Sequence, residues 1–179
     1  MLRYLTAGES HGPALTAIVE GFPSGVTVDT DLINKELHRR QGGYGRGKRQ
    51  QLETDRIIID SGTYHGVTTG GPITLRLVNN DAKLERLPEP TAPRGGHIDL
   101  AGAINYQTGI RQVLERASAR ETALRVAVGA LAKVLLREIG ITVYGYVSEL
   151  GGIAAPPLSN NLAVRDASPV YTLNPDADP

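Results

Sequence analysis

Apolar residues first fall into a two-residue rhythm near the amino terminus. In "LTAIVEG", Leu15, Ala17 and Val19 alternate with Thr16, Ile18 and Glu20, and the turn-like "GFPSG" follows, so the pattern predicts a strand with a loop at each end. The rhythm then lengthens. "VDTDLINKELHRR" offers Asp29 or Thr30 as an N-cap, sets Leu32, Ile33, Glu36, Leu37 and Arg40 at helical spacing, and stops at Gly42 and Gly43. "RIIIDSGTYHG" and "PITLRLVNND" return to strand chemistry; in the second, Ile73, Leu75 and Leu77 share one face and Thr74 and Arg76 the other, with "TTGGP" as the turn between the two runs. From Asp81 to Gly96 proline and charge break every period, and the stretch is longer than an ordinary connection.

The most strongly marked helix lies within "ERASARETALRVAVGALAKVLLREIG". Ser118 and Glu121 match a capping box. Leu124, Ala127, Val128, Leu131, Val134 and Leu135 form a wide apolar stripe, Glu121, Arg125, Lys133 and Arg137 mark the opposite edge, and Gly140 ends the run. "ITVYGYVSEL" reads as a further strand, after which periodicity is lost. Most strand-to-strand links are too short for a helical crossover, so the order of elements predicts an α+β domain with a largely antiparallel sheet packed on helices. Residues 1–155 form that domain in this reading, and 156–179 an irregular tail or junction.

Composition narrows the chemistry. A chain of 179 residues is long enough for one sizeable core. Nineteen Lys and Arg balance nineteen Asp and Glu, which argues against nucleic-acid binding driven by overall charge, so an anion site must be local. Cysteine is absent, which excludes disulfides and thiolate metal sites, and no apolar run approaches the ~20 residues of a membrane span. A cytoplasmic protein is expected. One Phe and no Trp leave the core to Leu, Ile, Val and Ala.

Three local clusters carry candidate chemistry. In "RRQGGYGRGKRQ", Gly42, Gly43, Gly45 and Gly47 let backbone approach a ligand, and Arg40, Arg46 and Arg49 bring planar forks suited to phosphate or carboxylate. The competing reading is a solvated basic turn paired with Glu53 and Asp55. His11 in "GESHG" and His97 in "PRGGHID" sit among glycines, where a ligand could reach a side chain able to exchange protons near neutral pH. His38 and His65 read as ordinary helix and strand-end residues, and no pair of histidines has metal-ligand spacing. "ERASARET" supports two readings, a well-capped helix start or an anion site at the helix amino terminus. Arg116 and Arg120 lie at the positive end of the helix dipole, an unfavourable place for cations unless a bound phosphate or a buried ion pair answers them.

Taken in order, "GESHG", "RRQGGYGRGKRQ", "TTGGPI", "RGGHIDLAG" and "ERASARETALRVAVGA" resemble chorismate synthase, and "GITVYGYVSELGGI" continues in the same style. The resemblance implies a cytoplasmic shikimate-pathway lyase that removes phosphate from 5-enolpyruvylshikimate-3-phosphate, with loss of a ring hydrogen, to give chorismate. It implies reduced FMN without net redox change, with NADPH as a candidate flavin reductant. By the same resemblance His11 would protonate the leaving phosphate and His97 would stabilise the reduced flavin. Arg40, Arg46 and Arg49 would bind substrate or nucleotide phosphate, and Arg116, Ala117, Ser118 and Arg120 the FMN. The family fold is a β-α-β sandwich assembled as a homotetramer, binding neither nucleic acid nor membrane.

This sequence departs from the family at Gly95, where proline is usual, and at Tyr146, a peripheral position. It also departs in length, since family chains are about twice as long. A partial fold is therefore expected to lack part of the covering over the capped helix and to be inactive alone. The alternatives are a catalytically inactive fragment, or an anion-binding module that uses the Arg40–Arg49 loop.

Overall fold

The computed structural model describes residues 1–45, 47 and 53–178. Its centre is a four-stranded sheet of β1 (Arg3–Ala7), β2 (Ala14–Glu20), β3 (Ile58–Ser61) and, after the small hairpin of β4 (Thr63–Tyr64) and β5 (Val67–Thr68), β6 (Ile73–Val78). The order is β1-β2-β6-β3 and every pairing is antiparallel, with a bulge in β3 between Ile59 and Ser61. Strict alternation explains the layering. Leu15, Ala17 and Val19 on β2 and Ile73, Leu75 and Leu77 on β6 all point to one face and are buried there.

Two helices cover that face: α1 (Thr30–Gln41) and the long helix that runs from Thr122 to Glu138. Asp29 caps α1 through its side chain, accepting from the Leu32 N–H at 2.8 Å. Ile33 and Leu37 of α1 meet Leu124, Ala127, Leu131 and Val134 of the long helix over the sheet. Fully burying one such leucine stabilises the fold by roughly 1.5–3 kcal/mol. The expected loss of covering over the long helix is therefore corrected, because this chain's own sheet and α1 cover its apolar face. Exposed apolar side chains lie elsewhere, at Ile98, Leu100, Ile104 and Tyr106 and between Ile139 and Leu158.

Along the chain between β6 and the long helix lie two short helices that the sequence pattern did not reveal, α2 (Asp99–Tyr106) and α3 (Ile110–Arg116). Neither has a side-chain N-cap, and α2 leaves Leu100 and Ile104 exposed, so neither cap chemistry nor a clean stripe marks them. The long helix is thus α4 (Thr122–Glu138).

Its start departs from a reciprocal capping box. Ser118 Oγ accepts from the Arg120 N–H at 3.3 Å, a single 3₁₀ turn spans Ala119–Glu121, and the Glu121 carboxylate turns away to accept from Thr6 Oγ1 (2.7 Å) and Arg125 Nε (2.8 Å).

Two further expectations are corrected. "ITVYGYVSEL" is not a continuous strand: residues 141–146 are irregular and exposed, Val147 makes an isolated parallel bridge to Thr172, and only β7 (Glu149–Leu150) pairs, with β8 (Ile153–Ala154). Alternation alone is insufficient where no neighbouring strand takes up the backbone groups. Nor is 156–179 irregular throughout. Asn161 caps α5 (Leu162–Ala167), Leu173 is buried, Tyr171 Oη donates to the Arg39 carbonyl at 2.8 Å, and the Tyr44 N–H donates to the Pro169 carbonyl at 2.8 Å. This segment therefore braces the carboxyl end of α1, where the glycine-rich basic loop begins.

Candidate active site

The histidine loop between β1 and β2 is held from three sides. Gly8 adopts φ +107°, and a Cβ there would lie 2.6 Å from the Ala14 carbonyl oxygen, so glycine is required for the turn into β2. Asn79, just past β6, donates from Nδ2 to the carbonyls of Glu9 (3.1 Å) and Gly12 (2.8 Å). From α3, Glu115 accepts the His11 backbone N–H at 2.8 Å and lies 2.9 Å and 3.1 Å from His11 Nδ1 through its two oxygens. Glu115 is fully buried, and Arg111, one turn earlier on α3, reaches its Oε1 at 3.2 Å. On the other side of the ring, Asp81 Oδ2 lies 3.7 Å from Nε2, while Lys83 pairs with Asp81 at 2.8 Å.

His97 is built the same way from different elements. Its Nδ1 lies 2.7 Å from Asp99 Oδ1, and Asp99 is a buried carboxylate in the first turn of α2, where the helix dipole favours negative charge. Arg94 clamps the same carboxylate through Nε (2.8 Å), Nη2 (3.0 Å) and its backbone N–H (3.1 Å). That clamp ties the loop around Gly95 to the start of α2. The Arg94 hydrogen bond, against the opposing effect of burial, holds the Asp99 carboxyl well below the usual carboxylate range. Burial pushes the Glu115 carboxyl up, but the contacts with His11 and Arg111 outweigh it and leave the group below its ordinary value. The Glu115 charge also acts on Arg94, so the two histidine clusters are electrostatic neighbours.

Both carboxylates hold protons less readily in the fold than in the unfolded chain. Stability is then fully present above the ordinary carboxylate range and declines as pH falls through it toward the folded values. We expect urea midpoints to drop below about pH 5 and Asp99→Asn to flatten that decline. A midpoint constant from neutral pH to pH 3 in the parent protein would contradict this.

The third cluster contains the basic residues. Arg40 reaches across to the start of α4, donating from Nη2 to the Ala119 carbonyl (2.8 Å) and Thr122 Oγ1 (3.0 Å), and its Nη1 stands 3.9 Å from Asp55. Arg120 is buried and forms two bonds from Nη1 to Asp55 (2.6 and 2.8 Å), one from Nε to Asn79 Oδ1 (2.8 Å), and an ion pair with Glu53 at 3.8 Å. Of the two readings of cations at this helix start, Arg120 takes the buried ion pair. Arg116 stays half-exposed, bonded to the Thr6 carbonyl and hydroxyl at 2.8 Å each.

A cavity of about 200 Å³ opens among Arg40, Gln41, Gly47, Glu53, Ser118 and Arg120. A second hollow, about 320 Å³ and largely apolar, is lined by Ile98, Tyr106, Val113, Arg116 and Ala117.

The structure thus brings Arg40, Ser118 and Arg120 to one cavity, puts Arg116 and Ala117 on an adjoining one, and sets His11 and His97 in matched carboxylate clusters. Arg46 and Arg49 lie outside the described residues. Of Glu53 and Asp55, the expected partners of the basic loop, Glu53 lines the cavity and accepts the Asn80 N–H at 2.9 Å, while Asp55 accepts two bonds from Arg120. Sequence reasoning missed Glu115, Asp99, Asn79, Arg94 and Arg111. Asp99, two residues after His97, was the one with a local signal; Glu115 is 104 positions from His11 and had none. Among the described residues no three His, Asp or Glu side chains gather as a metal site, and no helix is long and apolar enough to cross a membrane.

Comparison with known proteins places the chain in a family. The family model for chorismate synthase matches residues 2–179. A chorismate synthase from Streptococcus equi subsp. zooepidemicus is 50% identical over 97% of this chain and 50% of its own length. One from Thermoanaerobacter pseudethanolicus is 55% identical over 86% of this chain and 45% of its own. A crystal structure of chorismate synthase superposes with a TM-score of 0.78 at 38% identity, covering 99% of this chain and 49% of that one. The chain spans about half the length of the curated relatives it matches. With a family model spanning nearly all of its residues, this chain belongs to the chorismate synthase family.

Proposed function

We propose that this chain contributes the histidine and arginine half of a chorismate synthase, which eliminates phosphate from 5-enolpyruvylshikimate-3-phosphate to form chorismate in the cytoplasm. The observation that carries the reading is the polar chain Asp55–Arg120–Asn79, which ties the cationic cavity to the carbonyls of the His11 loop. Phosphate departure needs cations around the leaving group and a proton for it, and this network joins residues able to supply each. Arg40, Arg46 and Arg49 bind the phosphate, and His11 delivers the proton to its oxygen. The buried Glu115 carboxylate lies 2.9 Å from the His11 Nδ1, on the ring edge opposite the Nε2 that would face the substrate.

The 116–118 segment fits a phosphorylated ring cofactor such as FMN, because Arg116 and Ala117 line an apolar hollow suited to a ring and Ser118 lines a cavity bearing cations. When bound, reduced FMN would supply transient electron density to help the C–O bond break. Arg116, Ala117 and Ser118 would hold it, Arg120 would support that wall through Asp55, and His97, steadied by Asp99, would donate to its reduced ring. NADPH is the proposed reductant of the flavin, and a homotetramer the proposed assembly of the full-length protein.

Residues 1–155 act in this reading as one α+β domain and 156–179 as the junction to the remainder. Residues 1–179 alone are proposed to be inactive, because one wall of a pocket buries too little of a ligand. The test is anaerobic addition of substrate and reduced FMN, followed by chorismate absorbance, to the full-length protein and to residues 1–179. Turnover by the full-length protein alone is expected. No turnover by the full-length protein overturns the assignment, and turnover by residues 1–179 shows that the other half is dispensable.

Arg46 provides a second check. Arg46→Ala is expected to weaken binding of the phosphorylated substrate by about 1.5–3 kcal/mol, the range for a charge-assisted contact, and to leave a dephosphorylated analogue nearly unaffected. Equal losses would assign Arg46 a structural role. Preference for a polynucleotide over the small phosphoester would favour an anion-binding module instead.

A further inference from the structure

We propose that Glu115 is a positioning residue that holds the His11 ring as its Nδ1–H tautomer and so reserves Nε2 for proton exchange. This rests on the reading of His11 as the proton donor to the leaving phosphate. Glu115 is buried and engaged at both oxygens: Oε2 accepts the His11 backbone N–H at 2.8 Å and lies 2.9 Å from Nδ1, while Oε1 lies 3.1 Å from Nδ1 and accepts from Arg111 Nη1 at 3.2 Å.

An ionised carboxylate can only accept, so the nitrogen facing it must donate. The Glu115 carboxyl is held below its ordinary value despite burial, which keeps it an acceptor across the working pH range. Backbone and ring of one residue are therefore fixed by one carboxylate, which sets both where the imidazole sits and which nitrogen carries the fixed proton.

The main chain strengthens the placement. The Ser10 N–H donates to the Glu115 carbonyl at 3.0 Å, so the end of α3 and the loop are joined by backbone as well as by side chain. Across the ring, the Nε2–Asp81 separation of 3.7 Å is too long for a direct hydrogen bond, and Lys83 already pairs with Asp81. Nε2 is consequently the nitrogen without a short fixed acceptor among these groups. The alternative is that Glu115 merely anchors the loop. That role would lower stability on substitution without changing which ring nitrogen is protonated.

Side-chain ¹⁵N spectra distinguish the two roles without reference to turnover. The chain has four histidines, so ring signals can be assigned by single substitutions. At alkaline pH, where imidazole is neutral, His11 in the parent protein is expected to be mainly Nδ1–H, and Glu115→Gln is expected to shift it toward Nε2–H. In the full-length enzyme the same substitution should lower kcat on the order of 10²-fold, the lower end of what a general acid contributes, with KM much less affected.

A mainly Nε2–H ring in the parent protein overturns the proposal even if Glu115→Gln does not fold. An unchanged tautomer in folded Glu115→Gln overturns it as well. Because the tautomer is read independently of activity, an inactive His11 assignment and a misassigned Glu115 give different results.

Discussion

Replacing Arg120 by alanine is expected to remove about 3–5 kcal/mol of folding stability, the cost of breaking a buried ion pair from one side. The magnitude follows from what would remain. Asp55 is fully buried and receives two bonds from Arg120, at 2.6 and 2.8 Å, and among the described residues the nearest other cation, Arg40, stands 3.9 Å away. Asn79 would lose the donor to its Oδ1, and with it the fixed orientation that aims Nδ2 at the His11 loop.

A domain is typically stable by only 5–15 kcal/mol, so such a loss is large. Substituting Asp55 and Arg120 together by leucine and methionine should cost less than the two single changes combined, because no lone charge stays buried. Urea midpoints for the singles and the double measure this directly. A loss below 1 kcal/mol in Arg120→Ala would mean that solvent reaches the pair.

The second large effect is on chemistry. His11→Ala and His97→Ala in the full-length enzyme should each lower kcat by about 10²-fold or more, the contribution expected of a general acid or proton donor, with smaller changes in substrate affinity. The clusters predict a difference between them. His11 has a carboxylate with a single arginine one turn away, whereas Asp99 stays bonded to Arg94 through three contacts when His97 is lost, so the loop of His97→Ala should keep its shape. Steady-state kinetics with and without added reduced flavin separates the two. Near-parental turnover in either variant removes that histidine from the mechanism.

What was legible in the sequence was whatever local order decides. Alternation fixed β2 and β6, and stripe and length fixed α4, because each buries its face against the same core. Glycines and histidines advertised the loops. The missed elements are those whose stability comes from elsewhere. Helices α2 and α3 lack side-chain caps, and α5 has a cap but only six residues, too few for a period to emerge. The false strand at 141–146 had the alternation but not the neighbour.

At the candidate site, the sequence pointed to His11, His97 and Arg40, but not to most of the residues that hold them. Glu115 looks like any helical glutamate until α3 is folded against the first loop. The family resemblance implies a cofactor contact at Arg120, and in the fold its guanidinium bonds the buried Asp55.

The distance along the chain between His11 and Glu115 also bears on when the site comes into being. Their contact closes 104 residues of separation, Thr6 and Glu121 close 115, and Arg120 and Asp55 close 65. Contacts of this reach repay their loop-closure entropy only after much of the chain has collapsed, so they belong to the late part of folding. During synthesis the amino-terminal histidine loop emerges first and must wait, without its carboxylate, until α3 has left the ribosome. The geometry of the His11 cluster is then a product of completed folding, and amide exchange at His11, whose N–H ends on Glu115, should report global opening rather than the local opening usual for a loop.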